Sequence, residues 1–237
     1  MPKVREKYLV DEQGRKTAIV LDLREYRQLV DRLKDLEDAL DLNDGEQTEI
    51  SFELRFDPDE IYGLACRYSD CLTAREARLE SEIESQIAPA ARARGHLLME
   101  EFLAVCEWKS PRPRRHYCMN QERCVKDATR EALAAVDGWH SIEVLDALRG
   151  VGPSVASAIL HWMAGQPYPI WDFRALWSLG WEKPPACNRD SWAAYAQYCI
   201  DLAQKHEVSM RQLDRALWRY SKDNQPGKPA LVANPRH

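Results

Sequence analysis

The stretch whose reading decides the fold is Leu145–Gly180, LDALRGVGPSVASAILHWMAGQPYPIWDFRALWSLG. A helical pattern ends near Leu148. Gly150 and Gly152 bracket Val151, which permits a tight turn and a close backbone approach to a ligand. Pro153 suits the first turn of a new helix, and Ala156, Ile159, Leu160 and Met163 give that helix an apolar face. The N–H groups free at its N-terminus, aided by the helix dipole, form a phosphate site that needs no cationic side chain. Pro153 has no N–H, so Gly152, Ser154 and Val155 are the expected donors. Tyr168-Pro169-Ile170 then leaves the helix in extended form, and Asp172 stands just before Phe173-Arg174-Ala175-Leu176-Trp177. Glycine turns join helices in any helical bundle, and an aspartate before a helix is also an ordinary N-cap.

The Gly-Val-Gly hairpin, followed at the family's spacing by Asp172, resembles the helix-hairpin-helix DNA glycosylase superfamily. The resemblance is clear over residues 145–180 and weaker over 57–222. It implies a mainly α protein with a two-lobed helical domain over 49–223, with DNA as its partner. It also implies DNA-backbone contacts from Gly150, Val151, Gly152, Ser154 and Val155, and a catalytic Asp172. The chemistry suits a carboxylate there. Excising a base builds positive charge on the sugar, which a nearby carboxylate stabilises while it orients or activates water. A helix N-terminus favours the ionised form. Ser154 stands where bifunctional family members carry a Schiff-base lysine, so the resemblance implies monofunctional hydrolysis of the N-glycosidic bond without strand cleavage. Beyond the hairpin only Cys187 and Cys199 are present, so no iron–sulfur cluster is expected, nor any other cofactor or metal.

A flipped base needs flat neighbours. Trp171 adjoins Asp172 in the extended segment and is expected in the base pocket with Arg174 and Tyr117. Trp108, Trp162 and Trp177 are further candidates, although most tryptophans are core. The loop Lys109-Ser-Pro-Arg-Pro-Arg-Arg-His116-Tyr117 interrupts the helices, since each proline disfavours helix before it. Between Lys109 and Arg130 there are seven Lys/Arg against two acids. Lys109, Arg112, Arg114 and Arg115 are therefore expected on phosphates, positioning DNA rather than reading it. A solvated helix face with an exposed loop has the same composition. His116, Cys118 and Cys124 lack paired C-x-x-C spacing and a fourth ligand, which argues against zinc.

Residues 1–45 read as a separate unit. Lys7 to Val10 and Thr17 to Leu21 pattern as two strands around a turn at Asp11–Arg15. Asp22 and Glu25 suggest a capping box, ahead of an apolar stripe at Leu23, Tyr26, Val30, Leu33 and Leu40. This β-hairpin and amphipathic helix resembles small antitoxins of the prevent-host-death and RelB type. That resemblance implies a second copy (a homodimer) or a protein partner docking through residues 1–45. The alternation of Ile50, Phe52, Leu54 and Phe56 predicts a strand. Helical spacing predicts helices over 58–69, 74–94, 96–108, 121–136, 140–148, 153–164, 173–180, 189–205 and 209–222. The Pro- and Gly-containing stretch 224–237 predicts a flexible tail.

Composition bounds these readings. The 237 residues are 45% hydrophobic with eight tryptophans, enough for a real core. No run approaches the roughly 18 apolar residues of a membrane span, and the first residues lack an apolar signal core. Seven irregularly spaced cysteines fit reduced thiols. A cytoplasmic protein with no membrane partner is expected. The net charge of −5 opposes indiscriminate binding of nucleic acid but allows a local basic patch. No Walker loop, HExxH or dinucleotide fingerprint appears. Two other readings use the same residues: a DNA-binding module in which Asp172 only caps, and an interaction protein of a toxin–antitoxin or anti-phage locus.

Overall fold

The computed structural model describes residues 7–10, 16–20, 50–183 and 185–226. Backbone contacts divide the chain into two units, Met1–Glu49 and Ile50–His237. In the first, β1 (Lys7–Val10) pairs antiparallel with β2 (Lys16–Val20), Lys7 opposite Val20 and Tyr8 opposite Ile19. The turn and the amphipathic helix expected in this unit lie outside the described residues, as does the tail beyond Pro226.

The second unit is helical: α1 (Ile61–Cys66), α2 (Ala74–Glu82), α3 (Ala88–Arg94), α4 (Met99–Lys109), α5 (Arg114–Tyr117), α6 (Glu122–Ala134), α7 (Gly138–Asp146), α8 (Pro153–Met163), α9 (Phe173–Ser178), α10 (Arg189–Lys205) and α11 (Met210–Asn224). Local signals explain the longer ones. Thr73 and Glu76 close a reciprocal capping box on α2, Asn188 and Ser191 on α10, and Ser209 and Gln212 on α11. The expected single helix over 74–94 is instead α2 and α3 joined by a π-helical turn, Ile83–Ile87. The expected helix over 58–69 is α1 flanked by 3₁₀ turns at Pro58–Glu60 and Arg67–Cys71. The short α5 falls within the loop expected after Lys109.

The strand expected at 50–56 does not form. Phe56 is buried, and Phe52 and Leu54 pack on the core, so the alternation does reflect burial. The backbone partner, however, is a helix end rather than another strand. Glu53 and Arg55 donate to the carbonyls of Leu179 (3.1 Å) and Ser178 (2.9 Å). The Arg55 guanidinium adds bonds to the Trp177 and Gly180 carbonyls. The segment therefore bonds carbonyls at and just beyond the C-terminus of α9, where a helix lacks its own donors.

Helix α8 is the centre of the core. Val155 through Leu160 are all buried, as are Trp162 and Met163, the pattern of a helix enclosed on every side. Helices α3, α4 and α7 pack on it, whereas α1 and α9 pack on α11. The hairpin before α8 is fixed from outside: the Asn120 side chain accepts from the Arg149 N–H (2.8 Å) and donates to its carbonyl (3.0 Å).

The two hairpin glycines have different roles. Gly150 has φ +84°, and a Cβ there would lie 2.9 Å from His116 Cβ and 3.0 Å from the Tyr117 ring. Gly152 is extended, at φ −120°, with no atom nearer than 4.0 Å to an added Cβ. Gly150→Ala should therefore cost about 1–3 kcal/mol, read as a lower urea midpoint at unchanged m-value. Gly152→Ala should shift stability by no more than about 0.5 kcal/mol.

Candidate functional site

Asp172 is placed by the segment Tyr168–Trp171, which three side chains hold extended. His161 Nδ1 lies 2.6 Å from the Tyr168 carbonyl. That acceptor requires the proton on Nδ1, and burial pushes the imidazole pKa down to about 4, so the ring is neutral. Tyr195 donates to the Ile170 carbonyl (2.7 Å), and Ser157 of α8 accepts from the Trp171 N–H (2.9 Å). The chain then enters α9 with Asp172 as N-cap, its Oδ1 accepting from the Arg174 N–H at 2.8 Å.

Asp172 Oδ2 pairs with the ammonium of Lys109 at the end of α4. Both side chains are nearly enclosed, 12% and 11% exposed. Burial alone would raise the Asp172 pKa, but the Lys109 charge and hydrogen bond, with the Arg174 N–H, outweigh it and hold the carboxyl below its usual range. The carboxylate is thus ionised although its side chain is nearly enclosed.

The pair faces a cleft of about 440 Å³. Aromatic walls come from Tyr68, Trp108, Phe173 and Trp218, and Asp172, Lys109 and Asp214 contribute charge. Ile170 and Asp172 both line it, whereas Trp171 between them does not. Successive residues of an extended segment face opposite ways. Trp171 is accordingly buried against Trp192 and Tyr195, edge-on to the latter at 5.2 Å. Its expected place in a base pocket is corrected: it is core. Tyr117 is corrected likewise. It is fully buried, edge-on to Phe102, and donates to the Ser110 carbonyl. Arg174 sits beside the cleft, its guanidinium 5.0 Å from the Phe173 ring and 5.3 Å from Trp218.

Other assignments also change. Lys109 does not stand free in the basic loop, because the Asp172 carboxylate holds it in the cleft. Arg114 pairs with Glu107, while Arg112 and Arg115 are exposed. In the hairpin, Val151 is buried and its N–H bonds the Leu148 carbonyl; the Val155 N–H bonds Gly152. Neither is a free donor, because the turn and the first turn of α8 consume them. Gly150, Gly152 and Ser154 remain, their N–H groups without a protein partner among the described residues.

Sequence reasoning missed Asp214, Trp218 and Phe173. For two of these a signal exists: Asp214, Trp218 and Lys222 are spaced i, i+4, i+8 on α11, one face of a helix. All three line the cleft. Among the described residues no group of three or more His, Cys, Asp or Glu is arranged to hold a metal ion.

The ion pair predicts a pH-dependent mutant. Because the folded pKa of Asp172 is depressed, its stabilising contribution is present above about pH 3.9, the unfolded value, and is lost as pH falls through the folded value. Lys109→Met leaves the buried carboxylate uncompensated and should cost about 3–5 kcal/mol at pH 7. The deficit should shrink toward pH 4, as the carboxyl, with burial unopposed by Lys109, takes up a proton. Denaturant melts of both proteins at several pH values check this.

No family model, curated protein or solved structure matches this chain, so the reading of the site rests on its own geometry.

Proposed function

We propose that residues 50–226 form a DNA-binding, glycosylase-like helical domain that hydrolyses the N-glycosidic bond of a modified or damaged base. The observation that carries this is the path of the chain from cleft to hairpin. Lys109 closes the cleft on Asp172. The chain then runs through Arg112, Arg114 and Arg115 to His116 and Tyr117, against which Gly150 packs, and to Asn120, which clamps Arg149. Exposed cations and the three free hairpin N–H groups are thereby tied to the mouth of an aromatic-walled cleft with an ionised carboxylate. That combination suits a duplex held by its phosphates with one nucleotide turned inward.

In this reading Asp172 stabilises the cationic sugar as the base departs. Lys109 has two N–H donors beyond the one directed at Asp172, available to an acceptor atom of the leaving base. Paired with a carboxylate it serves as a charge rather than as an amine nucleophile, consistent with hydrolysis without strand scission.

A second reading has its own support. Both oxygens of Asp172 are already engaged, one by the cap and one by Lys109, which is what a purely structural carboxylate in a non-catalytic DNA-binding module would show. A role in a toxin–antitoxin or anti-phage locus would rest on residues 1–45, most of them outside the described residues.

Base release separates the readings. Duplexes carrying uracil, hypoxanthine, 7-methylguanine, 8-oxoguanine or 5-hydroxymethylcytosine are incubated with the protein, and abasic sites are revealed by alkali. The native protein should release at least one base with no scission before alkali and no adduct trapped by borohydride. Asp172→Asn should lose at least about 10²-fold. Salt-sensitive binding by both forms with no release would establish the binding module instead.

Binding supplies a separate prediction. Arg112→Ala and Arg115→Ala should each weaken binding to unrelated duplexes equally and lower the slope of log affinity against log salt by about one. Unchanged slopes would remove the basic loop from the interface.

A further inference from the structure

We infer that the cleft contains a second catalytic carboxylate, Asp214, which accepts a proton from the attacking water while Asp172 stabilises the sugar cation. This rests on the hydrolytic reading of the same cleft.

The argument begins with the state of Asp172. Its Oδ1 accepts from the Arg174 N–H and its Oδ2 is paired with Lys109. Such a carboxylate is well placed to oppose a developing positive charge, but it has little capacity left for a proton. Some other group in the cleft must serve as base. Glu76 is exposed to solvent and turned back on its own helix, its Oε2 accepting from both the N–H (2.8 Å) and the hydroxyl (2.7 Å) of Thr73 in the α2 capping box. Tyr68 donates its hydroxyl to Glu80. Lys109 and Lys222 are cations.

Asp214 differs from these. Its side chain lines the cleft but is only 11% exposed. Arg211 Nη1 holds Oδ2 at 2.5 Å, and Oδ1 has no protein partner among the described residues. The carboxylate is therefore fixed through one oxygen, while the other keeps its full capacity to accept a proton. Its orientation is secured from behind, since Arg211 is itself held by Glu80 at 2.6 Å and lies over the rings of Trp162 (4.7 Å), Trp108 (5.2 Å) and Tyr68 (5.5 Å). Asp172 arrives on α9 and Asp214 on α11, two helices packed directly together. Two carboxylates sharing a cleft, one committed to charge and one open to a proton, are the division of labour that acid–base hydrolysis of a glycosidic bond needs.

The step balances without a further reactant. Water oxygen bonds to the anomeric carbon, the C–N bond breaks with its electron pair leaving on the base, and the water proton passes to Asp214 Oδ1. That proton then returns through solvent or to the departing base.

The test uses the full chain on whichever duplex of the base-release panel the native protein processes. Asp214→Asn and Asp214→Ala should slow single-turnover release by about 10²–10⁴-fold, with thermal unfolding run alongside. Arg211 keeps Glu80 and its three rings, so both variants are expected to fold, with a lower melting temperature from the lost buried partner. Azide supplies the discriminating readout because it attacks without losing a proton. It should restore release by Asp214→Ala and leave a sugar azide that mass spectrometry distinguishes from an abasic site, while failing to rescue Asp172→Asn. Near-native release by Asp214→Asn, or slow release that azide leaves unchanged in a folded Asp214→Ala, overturns the assignment and leaves the glycosylase reading intact. Absence of release by the native protein across the panel overturns both.

Discussion

The helical unit depends on one buried cation. Burial alone would lower the pKa of the Arg211 guanidinium, but Asp214 and Glu80 outweigh it and hold the pKa above the usual value. The same contact holds Glu80 down: burial alone would raise its pKa, and Arg211 with Arg215 reverses that. The guanidinium is also enclosed by Tyr68, Trp108 and Trp162. These partners come from the turn after α1, from α2, α4, α8 and α11, so a single group ties together helices that pack on α8 and helices that pack on α11. A buried ion pair adds little net stability over an apolar replacement, yet losing one partner is costly. The network therefore acts mainly to fix where the helices sit, and Trp108, Tyr68 and Asp214 carry that placement into the cleft.

The placement of Asp172 follows from similar constraints on backbone. Its approach segment belongs to no helix or sheet, so its polar groups need partners from outside. Ser157, His161 and Tyr195 supply them. Once the segment is held extended, alternation does the rest, sending Ile170 and Asp172 to the cleft and Trp171 to the core. On the proposed reading, a charge fixed in this way would not have to reorganise as a cationic sugar forms, the condition under which a carboxylate stabilises it most.

Much of this was legible locally. The N-cap at Asp172, the helix start at Pro153 and the capping boxes are written in neighbouring residues, and the long helices fall close to where their periodicity places them. What could not be read depends on contacts distant in sequence. Lys109 looked like part of an exposed basic loop because its partner lies 63 residues away. Phe52, Leu54 and Phe56 alternate as a strand does, but alternation reports a buried face and not the identity of the backbone partner. The sequence marks Trp171 as part of an extended segment but does not say which side of that segment faces the cavity. Asp214 lay in plain view on the same helix face as Trp218 and Lys222. It carried no signal until the cleft was known, because an Asp three residues after an Arg on a helix also reads as an ordinary surface salt bridge.

The electrostatic layout then constrains how an acidic protein could engage DNA at this site. Glu76, Asp172 and Asp214 line the cleft against Lys109 and Lys222, so a phosphate entering it would meet a net excess of negative charge. Arg112, Arg115 and the free hairpin N–H groups lie outside it. On the proposed reading, this separates the two ends of a nucleotide: the phosphate is held by the loop and the hairpin, while only the base and its sugar enter the acidic cavity. Lys109 stands at the boundary, the last residue of α4 before the loop begins. It neutralises Asp172, a role that a positively charged sugar would share on the proposed reading. On the proposed reading, this negative lining suits a cationic sugar better than a phosphate without counter-cations.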